Sequence, residues 1–286
     1  PTLRSTLRCA LAALALTALP AAARSQGAPH APLDSAQLAS RLSSLADSLA
    51  GADALSGVIL LARNGAPIFE RAYGLADRNP RRPNTVGTSF NISSIGKRFT
   101  QVAIAQLAAS GVLALDSTIA SVWPDYPNPD VARRVTIRQL LEHRSGVGGN
   151  IFARPSEMLT NADYVTLFVH DTLHFAPGTR QEYSNAGYVV LGEIIARASH
   201  ESYYDYVQRH VFDPAGMTKS GYFRRDSLPP FAAIGYTRQS GPGQSAPPDA
   251  PLVSAAPLQP RRGSAAGGAY ATARDLLRFV LRARAG

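Results

Sequence analysis

The stretch Phe90-Asn91-Ile92-Ser93-Ser94-Ile95-Gly96-Lys97-Arg98-Phe99-Thr100 sets a hydroxyl and an amine three residues apart, where the texture of the chain turns helical. On a helix such positions stand one turn apart on one face, within reach of each other. A serine hydroxyl is a weak nucleophile because its proton must leave as it attacks. A neighbouring lysine can take that proton when burial or nearby positive charge lowers its pKa. The helix start adds a positive dipole end, which favours negative charge developing on Ser94. Lys97 is one of two lysines in a chain that otherwise uses arginine, and arginine stays protonated and cannot serve as the base. The plainer alternative is an ordinary helix start, with Ser94 as a cap and Lys97 in solvent.

Upstream of this stretch, Leu38, Leu42, Leu45 and Leu49 recur at helical spacing and predict an amphipathic first helix. Gly57 to Arg63 is a strand-like run, Asn64-Gly65 supplies the two positive-φ positions of a tight type I′ turn, and Ala66 to Gly74 returns as the second strand. Residues 75–88 read as irregular. Downstream, Ser94 to Ser110 is periodic and stops at Gly111, and Val135 to His143, Asp163 to Val169, Ala186 to Ala198 and Tyr203 to Val211 give four more helical stretches. Residues 237–263 are a Pro/Gly/Ser-rich loop. Thr272 and Asp275 then form an approximate capping box, ahead of Leu276, Leu277, Val280 and Leu281 on one helix face.

At the N-terminal end, Arg4 and Arg8 precede the apolar run Cys9 to Leu19, which exits through Pro20-Ala21-Ala22-Ala23. This pattern is that of a secretory signal peptide over 1–23, followed by a polar leader over 24–36 and one domain over 37–286. The run is too short for a stable membrane span, so the mature protein is expected outside the cytoplasm, periplasmic or extracellular, with no membrane segment. Cys9 is the only cysteine. Its removal would leave no disulfide and no thiol nucleophile. Apolar residues at 45% and charged residues at 17% are a globular balance. The net charge of +9 comes from scattered arginines without interleaved aromatics, a general basic surface rather than a nucleic-acid footprint.

Tyr183-Ser184-Asn185 is the second chemical element. A phenol held near an ammonium can relay a proton to a leaving group, and the Asn185 amide can bond a substrate carbonyl and the lysine together. The alternative is a turn that caps the helix from Ala186.

Taken in order, the segments of this chain resemble the serine β-lactamase-related family: class C β-lactamases, penicillin-binding proteins, D-alanyl-D-alanine carboxypeptidases and lactamase-like esterases. The resemblance rests on Ser94-Ile95-Gly96-Lys97, Gly111 to Asp116, Val135 to Gly146 with His143, Phe175 to Gly178, Tyr183 to Tyr188, Pro214 to Met217 and Gly267 to Asp275. It implies an α+β fold of the β-lactamase/transpeptidase kind, with helices on an antiparallel sheet beside an all-helical region over about 94–230. It implies an acyl-enzyme mechanism in which Ser94 attacks, Lys97 and Tyr183 move protons, Asn185 orients the substrate and the Ser94 N–H forms half an oxyanion hole. His143 looks structural on this comparison and takes no place in a triad. The substrate is expected to be a small molecule or peptide carrying an amide, lactam or ester acyl group, with no cofactor and no metal. No G-x-S-x-G elbow of the α/β-hydrolase type is present.

The family's late Lys- or His-x-Gly strand has no counterpart before residue 286. The expectation is therefore of a chain lacking its final strands and half its site, and inactive as it stands. A non-catalytic relative that binds cell-wall peptide or a protein partner is the alternative function.

Overall fold

The computed structural model describes residues 33–239, 246–247 and 249–285. The expected signal peptide over 1–23 and the leader as far as residue 32 lie outside them. Ser35–Gly286 forms a unit by itself.

Asn64 and Gly65 take φ values of 52° and 82°, as a type I′ turn requires. They fold Gly57–Arg63 (β1) back onto Ala66–Tyr73 (β2) in antiparallel register, with one irregularity between Leu61 and Ala62. The helix Ser35–Gly51 (α1) lies against this hairpin through Ala39, Leu42, Ala46 and Ala50, which meet Phe69 and Tyr73. Here the leucine periodicity misplaces the buried face. Leu45 and Leu49 are exposed, because three alanines let α1 close on the strand along a neighbouring stripe.

Residues 75–88 are also more regular than their composition suggests. Leu75–Asp77 (β3) pairs antiparallel with Arg82–Pro83 (β4). Phe90–Asn91 (β5) then leads through a 3₁₀ turn, Ser93–Gly96, into Lys97–Ala109 (α2). The helical region continues with Ile119–Val122 (α3), Pro129–Arg134 (α4), Ile137–Leu141 (α5), Asn161–Val165 (α6), Asn185–Ser199 (α7) and Tyr203–Val207 (α8), which runs into a π turn at Gln208–Phe212. Two helices are shorter than their periodicity implies, and each has a capping box that sets its start. Thr136 and Gln139 close α5, and Thr160 and Asp163 close α6.

The centre of this body is α7. Every residue from Ala186 to Ile195 is buried, the pattern of a helix enclosed on all sides, and it packs against α2, α5, α6 and α8. Gly192 is what lets the chain pass so close. A Cβ there would stand 2.6 Å from Ala265 Cβ and 2.7 Å from the Asn161 amide.

Tyr236–Thr237 (β6) pairs with Val253–Ser254 (β7), and Tyr270–Ala271 (β8) returns to pair with β5. Ladders of two residues are too short to show as alternation, and β6 and β7 lie at the edge of and within the stretch 237–263 that reads as a loop. The last helix, Ala273–Ala285 (α9), is capped by Thr272, whose hydroxyl accepts the Asp275 N–H at 3.0 Å. The other half of the expected box is not made. The Asp275 carboxylate, 1% exposed, instead accepts from the Lys219 N–H, the Ser220 hydroxyl and Arg278, tying the 217–220 turn to α9. The architecture is α+β, with small antiparallel sheets around a predominantly helical core.

Candidate active site

Ser94 does not open an α-helix directly. It sits in the 3₁₀ turn ahead of α2, preceded by Ser93 at φ 47°, a left-handed conformation that is unusual for a residue with a side chain. Local bonds hold this turn. The Ser93 N–H donates to Asn91 Oδ1 at 2.9 Å, the Ile92 N–H donates to the Ala269 carbonyl at 2.9 Å, and the Gly268 N–H donates to the Ser93 carbonyl at 3.1 Å.

The segment 264–268 presses on the turn from the other side. Gly267 has φ 144°, and a Cβ added to it would lie 2.5 Å from the Ser93 carbonyl oxygen and 3.2 Å from Ser94 Cα. Only glycine fits that approach.

Lys97, one turn into the motif, is 5% exposed. Its Nζ donates to Asn185 Oδ1 at 2.7 Å and to the Ala266 carbonyl at 2.5 Å, and lies 3.4 Å from Ser94 Oγ. The solvated-lysine alternative is therefore out. Burial pushes the Lys97 pKa below its ordinary value, with the Tyr183 hydroxyl acting in the opposite direction.

Tyr183 reaches Ser94 from across the mouth, its Oη 2.8 Å from Ser94 Oγ. Its ring face stands 4.8 Å from Lys97 Nζ. Asn185 is the first residue of α7, placed by Ser184, whose hydroxyl accepts the Gly187 N–H at 2.9 Å and donates to the Val147 carbonyl. All four residues singled out from the sequence thus meet within hydrogen-bonding distance of one another's neighbours, with Lys97 in the middle.

Two further groups border the site, one without any signature in the sequence and one, His143, expected to be structural. The first is the Ala266 carbonyl, a backbone acceptor with no residue-type signature. A buried chain of hydroxyls fixes the turn that carries it. Thr100 spends its one proton on the Ala265 carbonyl at 2.8 Å, so Tyr203 must donate to Thr100 and Tyr222 to Tyr203, each at 2.8 Å. The Asn161 amide oxygen accepts the Ala265 N–H at 3.0 Å. The second is His143. Its ring lies against Tyr183 and its Nδ1 accepts the Ser184 N–H at 3.1 Å.

A cleft of about 420 Å³ opens beside Ser94 and Asn185. Phe90, Ile151, Phe152, Phe223 and Tyr270 supply much of its wall, and Arg225, Arg261 and Arg262 its basic side. Among the described residues no group of three or more His, Cys, Asp or Glu side chains gathers as metal ligands, and no helix is long and apolar enough to cross a membrane.

Comparison with known proteins covers most of this unit. A family model described as Beta-lactamase matches residues 42–286. The putative penicillin-binding protein PbpX of Bacillus subtilis is 33% identical over 181 residues, 63% of this chain and 45% of that protein. Esterase EstB of Burkholderia gladioli is 33% identical over 209 residues, 66% of this chain and 53% of that protein. The chain thus spans about half the length of these two relatives. The solved structure of a penicillin-binding protein from Bacillus halodurans superposes with a TM-score of 0.73 at 33% identity, over 84% of this chain and 72% of that one.

Proposed function

We propose a function from a plain premise: the chain belongs to the beta-lactamase family, a family of serine hydrolases that act on amides, esters and β-lactams. Within it, we read this protein as a hydrolase that forms an acyl-enzyme on Ser94, with Lys97 as general base, Tyr183 as proton relay and Asn185 as the residue that orients substrate. The observation that carries the reading is Ser94 Oγ standing between Tyr183 Oη at 2.8 Å and Lys97 Nζ at 3.4 Å.

The hydrogen bonds of Lys97 suit a base. As a neutral amine it has two N–H groups, which match Asn185 Oδ1 and the Ala266 carbonyl, and one lone pair left for Ser94. Ser94 Oγ then attacks the carbonyl carbon of the substrate, its proton passes to Lys97 Nζ, and the carbonyl π pair moves onto oxygen. The Ser94 N–H, at the positive end of the turn, is placed to stabilise that oxyanion. Collapse of the tetrahedral intermediate breaks the bond to the leaving group, which takes the Tyr183 proton, and Lys97 returns a proton to Tyr183. Water enters by the same route to release the acid and free Ser94.

The substrate is an acyl compound, an amide, lactam or ester, whose apolar portion fits the wall made by Phe152 and Phe223. A fluorophosphonate label on Ser94, or a fluorescent penicillin, tests the assignment, and failure of either to label under any condition would favour a non-catalytic binder of cell-wall peptide. Export rests on the Arg4, Arg8 and Cys9 to Leu19 pattern, and the mass of the secreted form, shortened near residue 23, checks it.

A further inference from the structure

We propose that His143 is a positioning residue: its neutral ring holds Tyr183 over Ser94, and protonating that ring releases Tyr183. The consequence for catalysis rests on the reading of Ser94 as nucleophile. The hold on Tyr183 itself does not.

His143 grips the chain on both flanks of Tyr183. Its carbonyl accepts the Glu182 N–H at 2.8 Å and its Nδ1 accepts the Ser184 N–H at 3.1 Å. Between these two anchors its ring lies 4.7 Å from the Tyr183 ring, tilted by 35°, and 4.9 Å from the Tyr188 ring, tilted by 33°. The backbone of His143 is left-handed, φ 58°, which turns the chain out of α5 and aims the ring into this gap.

A nitrogen that accepts a hydrogen bond carries no proton, so the neutral ring bears its proton on Nε2. Protonation puts a second N–H on Nδ1, facing the Ser184 N–H, and one of the two anchors of Tyr183 is lost. The ring contacts tolerate either charge state, since an imidazolium also sits favourably against a tyrosine face. The Ser184 bond is therefore the contact that senses the charge.

The groups around the ring are Lys97 from α2, Tyr188 from α7, and Tyr183, Glu182 and Arg180 from the intervening loop, with Glu142 and Arg144 beside it in the chain. Glu182 is paired with Arg180 at 2.7 Å and stands 3.6 Å from His174 Nδ1. Lys97 lies over both tyrosine rings. Burial first, and the Lys97 charge second, press the imidazole below its ordinary value of 6.5. The ring is thus neutral at neutral pH, and the hold on Tyr183 is given up only as pH falls below that value.

Nuclear magnetic resonance of the imidazole nitrogens, the Ser184 amide and the Tyr183 ring, followed from about pH 8 to about pH 4, tests this in the native chain. The expected result is an Nε2–H neutral tautomer, with the Ser184 and Tyr183 signals moving along the His143 titration curve. Fluorophosphonate labelling of Ser94 is expected to fall about tenfold or more along the same curve.

His143→Asn presents Oδ1 as an acceptor that does not titrate, and asparagine accepts a left-handed backbone. It should label faster than His143→Phe at neutral pH and lose the part of the acid fall that follows the His143 titration, keeping the fall set by protonation of Lys97. His143→Phe keeps the ring and removes the acceptor, and should label at about a tenth of the wild-type rate or less at neutral pH. An Nδ1–H tautomer, a Ser184 amide indifferent to the His143 titration, or an acid fall in His143→Asn as steep as that of the wild type would overturn the proposal. Labelling that persists in Ser94→Ala would instead remove the nucleophile reading, while the resonance curves still decide the grip of His143 on Tyr183.

Discussion

Tyr183 Oη lies 2.8 Å from Ser94 Oγ although the tyrosine is 57% exposed, so the bond reaches across an open mouth rather than through a packed interior. Its neighbours hold it there. The Tyr183→Phe variant keeps the ring against Lys97 and His143 and removes only the hydroxyl. Loss of one proton-transfer group typically lowers a rate by about 10²- to 10⁴-fold. Removing an exposed hydroxyl should change stability by no more than about 0.5 kcal/mol. Labelling kinetics beside a thermal melt check both. An unchanged rate would exclude Tyr183 from the proton path.

Lys97 carries the pH dependence on the alkaline side. Burial lowers its pKa, so the neutral base is populated below the ordinary lysine value of 10.5, and acylation should rise as pH increases from neutrality towards that lowered value. Lys97→Arg should abolish the rise together with the activity, because a guanidinium does not give up its proton. Lys97→Met would also leave Asn185 Oδ1 and the Ala266 carbonyl without their donor, at a cost of about 1–3 kcal/mol for each buried acceptor left unpaired. Denaturant melts of the two variants separate the chemical loss from the structural one.

Gly267 tests the clamp behind the nucleophile. In Gly267→Ala the new Cβ meets the Ser93 carbonyl oxygen at 2.5 Å, a backbone atom in a turn that cannot rotate away. Backbone strain of this sort costs about 1–3 kcal/mol. The expected outcome is a lower Tm and a displaced Ser94, read as slower labelling. Wild-type stability and rate in this variant would mean that the 264–268 segment is free to move.

How far these features were legible in the sequence follows from their physics. Asn64-Gly65 announced the hairpin because only a few residues accept two successive left-handed positions, and the turn forms there. Ser94, Lys97, Tyr183 and Asn185 could be singled out because their residue types suit nucleophilic and proton-transfer chemistry and their order matches a known family, and the fold brings them together. The first helix was placed but its face was not, since periodicity counts leucines and the strand was met by alanines. His143 was legible as a structural residue, but its contacts with Tyr183 and Ser184 were not, and neither was the Ala266 carbonyl. Both depend on where folding brings the backbone of one segment against the side chain of another, which no local pattern encodes.

Every step of the proposed mechanism starts from Ser94 as the nucleophile. Incubation with a fluorophosphonate followed by mass spectrometry of the digested protein tests this most directly. The prediction is one adduct, on the peptide bearing Ser94, absent in Ser94→Ala and slowed in Tyr183→Phe. An adduct on another residue, or equal labelling of Ser94→Ala and the wild type, would contradict it.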